Sequence, residues 1–258
     1  MKTINIKLSK ELKKLEIVTF ADEHYGDSLC DIELLKEKIE YVKNNEHVYC
    51  ILNGDLINNS TKNSVGDVYS EKETPMEQLV KICELFEPIR EKILCVNFGN
   101  HEQRTWKWEG IDITKLFCMQ LGLMDRYGKE SSLIFLKFGE QSSHKKNQHV
   151  LYIIFVTHGS GGGRREGSKL NRLVDMANIV DADIYIHSHT HLPMTVKQTF
   201  YRTDTRNGTV KLVPKLFINT AATLNYGGYG EAAEFKPSSK ESPRLLLDGR
   251  NKKFKAIL

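Results

Sequence analysis

The sequence predicts an α/β chain, with βα units first and antiparallel hairpins last, and three observations carry that prediction. Short apolar runs at residues 15–20, 48–52 and 93–97 each stop abruptly at a polar turn, as buried strands do. Apolar residues at helical spacing lie between those runs. From Met194 onward, β-branched and aromatic stretches alternate with turn pairs such as Asn207-Gly208 and Asp248-Gly249, a hairpin signature.

Taken in order, the polar and basic residues 1–10 either fray or form an edge element, and order is expected from near Leu15. Ile32, Leu35, Ile39 and Val42 follow helical spacing, with Asp31 placed to cap the helix. Residues 58–74 are polar and aperiodic, a loop long enough to have a function. Pro75 suits a first helical turn, and Met76, Leu79, Val80, Cys83 and Phe86 mark the helix it opens. A further helix is expected at 111–121, then strands at 133–138 and 149–156 around a polar tip at 141–148. Leu170, Leu173, Val174 and Ala177 form another helical stripe, followed by the apolar run Ile184-Tyr185-Ile186. With 258 residues, no internal repeat and no low-complexity linker, one domain spanning 1–258 is expected.

Composition narrows the class. Hydrophobic residues make up 40% and charged residues 27%, the balance of a soluble globular chain. A formal charge of +4 permits a phosphate-bearing partner without demanding one. The odd set Cys30, Cys50, Cys83, Cys95 and Cys118 lacks paired spacing, which argues against a disulfide framework or zinc ribbon and for core thiols in a reducing cytoplasm. No run resembles a signal peptide or reaches the roughly 20 residues of a membrane span, so no membrane partner is expected.

The chemistry sits at the strand ends. Asp22 and His24 follow the first apolar run, Asp55 the second, Asn100 and His101 the third, His158 the strand at 149–156, and His189 with His191 the run at 184–186. In α/β sheets the loops at the carboxyl ends of strands share one rim, so these groups can meet in space. Carboxylate, amide oxygen and imidazole form a donor set suited to two divalent ions: manganese first, with iron, zinc or magnesium as alternatives. Asp55 is placed to bridge them, and a bridging water would lose a proton near neutral pH. His187 lies outside the His189-x-His191 pair and reads as structural.

In order and context, Asp22-x-His24, Gly54-Asp55, Gly99-Asn100-His101-Glu102, His158-Gly159 and Ser188-His189-Thr190-His191 resemble the five signature motifs of the calcineurin-like metallophosphoesterases. The resemblance implies a four-layer αββα sandwich, two mixed β-sheets flanked by helices, with a dinuclear metal centre that hydrolyses phosphate esters. It further implies Asp22, His24 and His191 as ligands of one ion, Asn100, His158 and His189 as ligands of the other, and Asp55 as the bridge. His101 matches the histidine that stabilises the transition state or protonates the leaving group. Ser188 stands where the family usually has glycine, which puts a side chain into that turn. Asn58-Asn59-Ser60 and Phe98 replace the arginine-bearing runs of phosphoprotein phosphatases, so the resemblance is nearer the nuclease and phosphodiesterase branch.

Two basic stretches bear on the substrate. The glycine-rich loop 159–167 carries Arg164 and Arg165 directly from His158, with Lys169 and Arg172 beyond it. Arginines offer bidentate contacts to phosphate oxygens; a solvated loop is the competing reading. Arg104 and Trp106, just after His101, mix a cation with a stacking surface, as a bound nucleic acid would require, or else pack a loop onto the core. The expected substrate is therefore DNA, RNA or a nucleotide. A phosphomonoesterase and a non-catalytic scaffold of the same fold are the alternatives.

Overall fold

The structure, a computed structural model, describes residues 1–62, 64, 68–141 and 148–258. Residues 142–147 of the expected polar tip, and 63 and 65–67 of the expected loop 58–74, lie outside the described residues. In chain order the strands are β1 (Lys2–Lys7), β2 (Lys14–Phe20), β3 (Val48–Asn53), β4 (Ile93–Asn97), β5 (Tyr127–Gly128), β6 (Ser131–Phe138), β7 (Val150–Thr157), β8 (Ile184–His187), β9 (Met194–Asp204), β10 (Thr209–Asn219), β11 (Arg244–Asp248) and β12 (Phe254–Ile257). The helices are α1 (Ile32–Asn44), α2 (Pro75–Phe86), α3 (Gln103–Glu109), α4 (Ile113–Gln120), α5 (Glu166–Asp175) and α6 (Gly228–Ala232).

Two six-stranded mixed sheets face each other. The first runs β12-β11-β2-β3-β4-β5, with β2 to β5 parallel and β11 antiparallel to both its neighbours. The second runs β1-β6-β7-β8-β10-β9, with β7, β8 and β10 parallel. Period-two alternation sorts side chains between layers. Leu15 and Ile17 of β2 point between the sheets, where they meet residues such as Ile154, Ile184 and Ile218. Val18 and Phe20 point the other way, into a cluster with Leu35 and Ile39 of α1, Ile82 and Phe86 of α2, and Phe117 of α4. On the far face of the second sheet, Phe155, Tyr185 and Phe217 pack with Leu173 of α5. Helices therefore flank both sheets, as the fold class requires.

Helix starts follow local chemistry. The Asp31 side chain accepts the Leu34 N–H at 3.1 Å, and Thr74 with Glu77 closes a reciprocal capping box on α2, whose first residue is Pro75. All five cysteines are free and buried. Among the described residues, no helix is long and apolar enough to cross a membrane.

The structure corrects the expected start of order. Residues 2–7 form β1, a parallel edge strand on β6 with Ile4 buried, so order begins well before Leu15. Two apolar residues alternating with polar ones suffice for an edge strand, where lysines tolerate the open side. The helix expected at 111–121 is α4, while α3 and the short β5 were not expected. The Asn207-Gly208 hairpin forms, but β10 also pairs in parallel with β8, so this hairpin completes the second sheet.

Candidate metal centre

Every strand that precedes a candidate ligand ends at one rim. β2, β3 and β4 deliver Asp22, Asp55 and Asn100 from one sheet; β7 and β8 deliver His158 and His189 from the other. Buried amides stitch the sheets together just beneath that rim. Asn53 Nδ2 donates to the Thr157 carbonyl (2.8 Å) and to Ser188 Oγ (2.7 Å), and Asn97 Nδ2 donates to Asn53 Oδ1 and to the Val156 carbonyl. Asn53 and Asn97 were not singled out in the sequence; the legible signal is a lone amide closing an apolar run.

The backbone at the rim is unusual. Asp22, His24, Asp55, His189 and His191 all have positive φ, between 47° and 65°, although none is glycine. This left-handed conformation costs about 1–2 kcal/mol per residue, and outliers that cluster are a mark of function. The left-handed backbone, beyond the end of β8 at His187, sends His189 and His191 into different groups. Strand alternation plays no part.

Those groups are Asp22 with His24 and His191, and Asp55 with His158 and His189; in each, the potential donor atoms lie within 4.8 Å of one another. His191 Nε2 is 3.2 Å from Asp22 Oδ1, and His158 Nε2 is 3.2 Å from Asp55 Oδ2. Asn100 Oδ1 lies 3.0 Å from His158 Nε2 and 2.7 Å from His189 Nδ1. His101 joins a third such group with His24 and Asp55, but both its ring nitrogens have protein partners. Nδ1 donates to the Asn58 carbonyl at 2.8 Å, and Nε2 accepts from Arg104 Nη2 at 2.9 Å.

The donor set fits divalent cations. His24 Nε2 is buried with no hydrogen-bond partner, a loss that ligation would make good. His158 Nδ1 is committed to the Asn53 carbonyl at 2.7 Å, which leaves Nε2 to face the cluster, the arrangement of a metal-bound imidazole. Burial, reinforced by His101, holds the His24 pKa well below the ordinary range, and burial with His158 takes His189 down to about 4, so both are neutral bases. Burial opposes charge on Asp22 too, but His191 and His158 hold it at about 2. Burial likewise disfavours charge on His158, yet Asp55 and Asp22 raise its pKa to about 10. A proton on His158 Nε2 thus occupies a place that a cation would take.

The calcineurin-like phosphoesterase family profile matches residues 15–193, which contain all of these groups. The chain belongs to this family. Among solved structures, a predicted phosphoesterase from Streptococcus pneumoniae is 16% identical with a TM-score of 0.39, covering 95% of this chain and 89% of its own. Vps29 from Entamoeba histolytica, as a double mutant, is 12% identical with a TM-score of 0.43, covering 93% of this chain and 88% of its own. The nuclease MPE from Pseudomonas putida is 13% identical with a TM-score of 0.37, covering 93% and 87%. Comparison with curated proteins gave no match.

As a calcineurin-like phosphoesterase, this chain shows how its motifs interlock. A Cβ on Gly99 would lie 2.2 Å from both the Asp55 nitrogen and Asp55 Oδ1, so the third motif can approach the second only through glycine. Glu102 is buried at the centre of that junction. Its Oε2 accepts the N–H groups of Asp55 and Gly99, both at 3.0 Å, and its Oε1 accepts those of Leu56 (2.8 Å) and Ile57 (3.4 Å). Burial and then Asp55 push its pKa up to about 7, against the pull of these donors. Ser188, the departure from the usual glycine, is fully buried, and its Oγ accepts from Asn53 Nδ2 and from Thr220 Oγ1 (2.9 Å). His187 is buried and bonded through Nδ1 to Asn219 Oδ1 at 2.8 Å, and it joins neither ligand group, in keeping with a structural residue.

The expected substrate residues divide. Arg104 lies at the centre, donating to the Asn58 carbonyl and to His101. Trp106 is 41% exposed on α3, with Lys129 Nζ 3.5 Å from its ring centre, so it packs no loop into the core. Arg164 and Arg165 are exposed; Arg164 lies 3.8 Å from Glu234, and Arg165 precedes α5. Lys169 and Arg172 turn back toward the rim, where Lys169 Nζ donates to the carbonyl of Thr190, the residue between His189 and His191 (2.8 Å).

Proposed function

We propose that this chain is a dinuclear-metal-dependent phosphodiester hydrolase acting on nucleic acid or a nucleotide, with nuclease activity favoured. The observation that carries the reading is the convergence of seven donors, five on left-handed backbone, into two groups at one rim. Asp22, His24 and His191 would hold one ion, Asn100, His158 and His189 the other, and Asp55 both. When bound, two such ions offset the charge of a phosphate ester and supply an activated water.

The remaining steps belong to side chains. Arg104 and the Asn58 carbonyl fix the plane of the His101 ring, with Nε2 4.0 Å from Asp55 Oδ2. Burial disfavours the charged imidazolium, Asp55 favours it and Arg104 disfavours it; the balance lies below the ordinary histidine value. An entering phosphate is itself a partner for the Arg104 guanidinium, and engaging it frees His101 Nε2. His101 then takes up a proton from solvent at Nε2 and passes it to the leaving oxygen as the bond to phosphorus breaks.

The test is hydrolysis of bis-p-nitrophenyl phosphate, its monoester, DNA, RNA and cyclic nucleotides in manganese, with Asp55→Ala as the blank, alongside metal analysis. Two ions per chain and Asp55-dependent diester hydrolysis are expected. Equal rates in the blank would refute the proposal, and a preference for the monoester would make the chain a phosphomonoesterase.

A further inference from the structure

The loop after His158 folds over a small cavity. Its walls are Gly161, Gly163, Ser168, Lys169, Arg172 and Thr190; it is open to solvent on one side and holds about 40 Å³, roughly three times what one water needs. The loop lies close against α5, and Gly161 has the positive φ that favours glycine. A Cβ on Gly161, at φ +109°, would lie 2.6 Å from Arg172 Cζ, and one on Gly163 would lie 2.2 Å from Ser168 Oγ. Two cations and no carboxylate line the space. Lys169 spends one donor on the Thr190 carbonyl and Arg172 one on Ser160 Oγ (3.0 Å), out of three and five respectively. On the same helix, Glu166 pairs with Lys236 at 2.7 Å, and neither it nor Asp175 lines the cavity.

We infer that this cavity is a second phosphate subsite, which binds the phosphate next to the scissile one in a nucleic-acid strand. The placement carries the argument. Thr190 is both a wall of the cavity and the link between His189 and His191, so an anion held there is one residue away from both ligand groups. Two cations beside a dinuclear centre favour a substrate with phosphates in series over one with a single phosphate. Arg164 and Arg165, the residues that stand out in the sequence, lie outside this wall. The inference rests on the phosphodiesterase reading for the identity of the substrate.

The manganese-loaded enzyme is compared on thymidylyl-thymidine, which has one phosphate, and on the same dinucleotide carrying a terminal phosphate at its 5′ or 3′ end. A kcat/KM preference of about tenfold or more for one phosphorylated form is expected, from two charge-assisted contacts. In Lys169→Gln with Arg172→Gln the preference falls below about threefold, while Lys169→Arg, which keeps the cation, retains it. No preference in the wild type, or an undiminished one in the double variant, overturns the subsite. A second arm does not need turnover: binding of hexathymidylate in a His101→Ala background, measured against salt. Losing the one phosphate that this subsite neutralises lowers the log–log slope by about 0.7. If no diester is hydrolysed but the slope changes, the functional reading fails and the subsite stands; if diesters are hydrolysed with preference and slope both unchanged, only the subsite fails.

Discussion

Glu102→Gln isolates the junction on which the centre is built. The carboxylate accepts four backbone N–H groups from two loops, two on each oxygen, and is itself buried. A glutamine keeps the shape but turns one oxygen into an NH₂ group. Whichever way the amide is set, two backbone donors face a donor: Asp55 and Gly99 in one orientation, Leu56 and Ile57 in the other. Leaving a buried donor unmade costs about 1–3 kcal/mol, so the loss should be about 2–6 kcal/mol, a large part of a typical stability of about 5–15 kcal/mol. The assay is urea unfolding of metal-free protein at pH 8.5, above the pKa of about 7, where Glu102 is ionised. The midpoint should fall with the slope unchanged, and the metal content of the variant after reloading should also fall, because the Asp55 backbone loses its anchor. A destabilisation under about 1 kcal/mol would refute the reasoning, since the four contacts would then carry little net energy.

Four further outcomes follow from the same geometry. His101→Ala should keep its metal content and lose turnover by about 100- to 10,000-fold; near-native turnover in the metal-replete variant would remove His101 from the chemistry. Gly99→Ala should cut metal loading sharply, because the new methyl group meets Asp55 within 2.2 Å; full loading by elemental analysis would count against the interlock. In chelated protein, the His158 pKa lies above its unfolded value, raised to about 10 from 6.5. Its contribution to stability is therefore fully present below about pH 6.5 and is lost as pH rises toward 10, at up to about 1.4 kcal/mol per unit; a flat stability profile from pH 7 to 10 would contradict it. For the same reason, metal binding near pH 8 should release about one proton from His158, measurable in weak buffer, and no release would place that proton elsewhere.

The sequence by itself determined the parts and their order. Apolar runs ending in Asp22, Asp55, Asn100, His158 and His189 were legible because buried strands and polar turns contrast sharply in composition, and the motif spacing carried the family resemblance. Helices α1 and α2 were legible down to their first turns, because Asp31 and Pro75 act within their own segments. Contacts that join segments were not. The sequence cannot show that Asn53 reaches Ser188 across the two sheets, that Gly99 is glycine because Asp55 lies against it, or that Glu102 binds the loop after β3. Periodicity likewise missed α3, whose seven residues include one that is buried and so present no apolar stripe. The basic loop shows the division most plainly. Composition marks Arg164 and Arg165 as conspicuous, but only the tertiary fold turns Lys169 and Arg172 toward the rim, because side-chain direction depends on what α5 packs against.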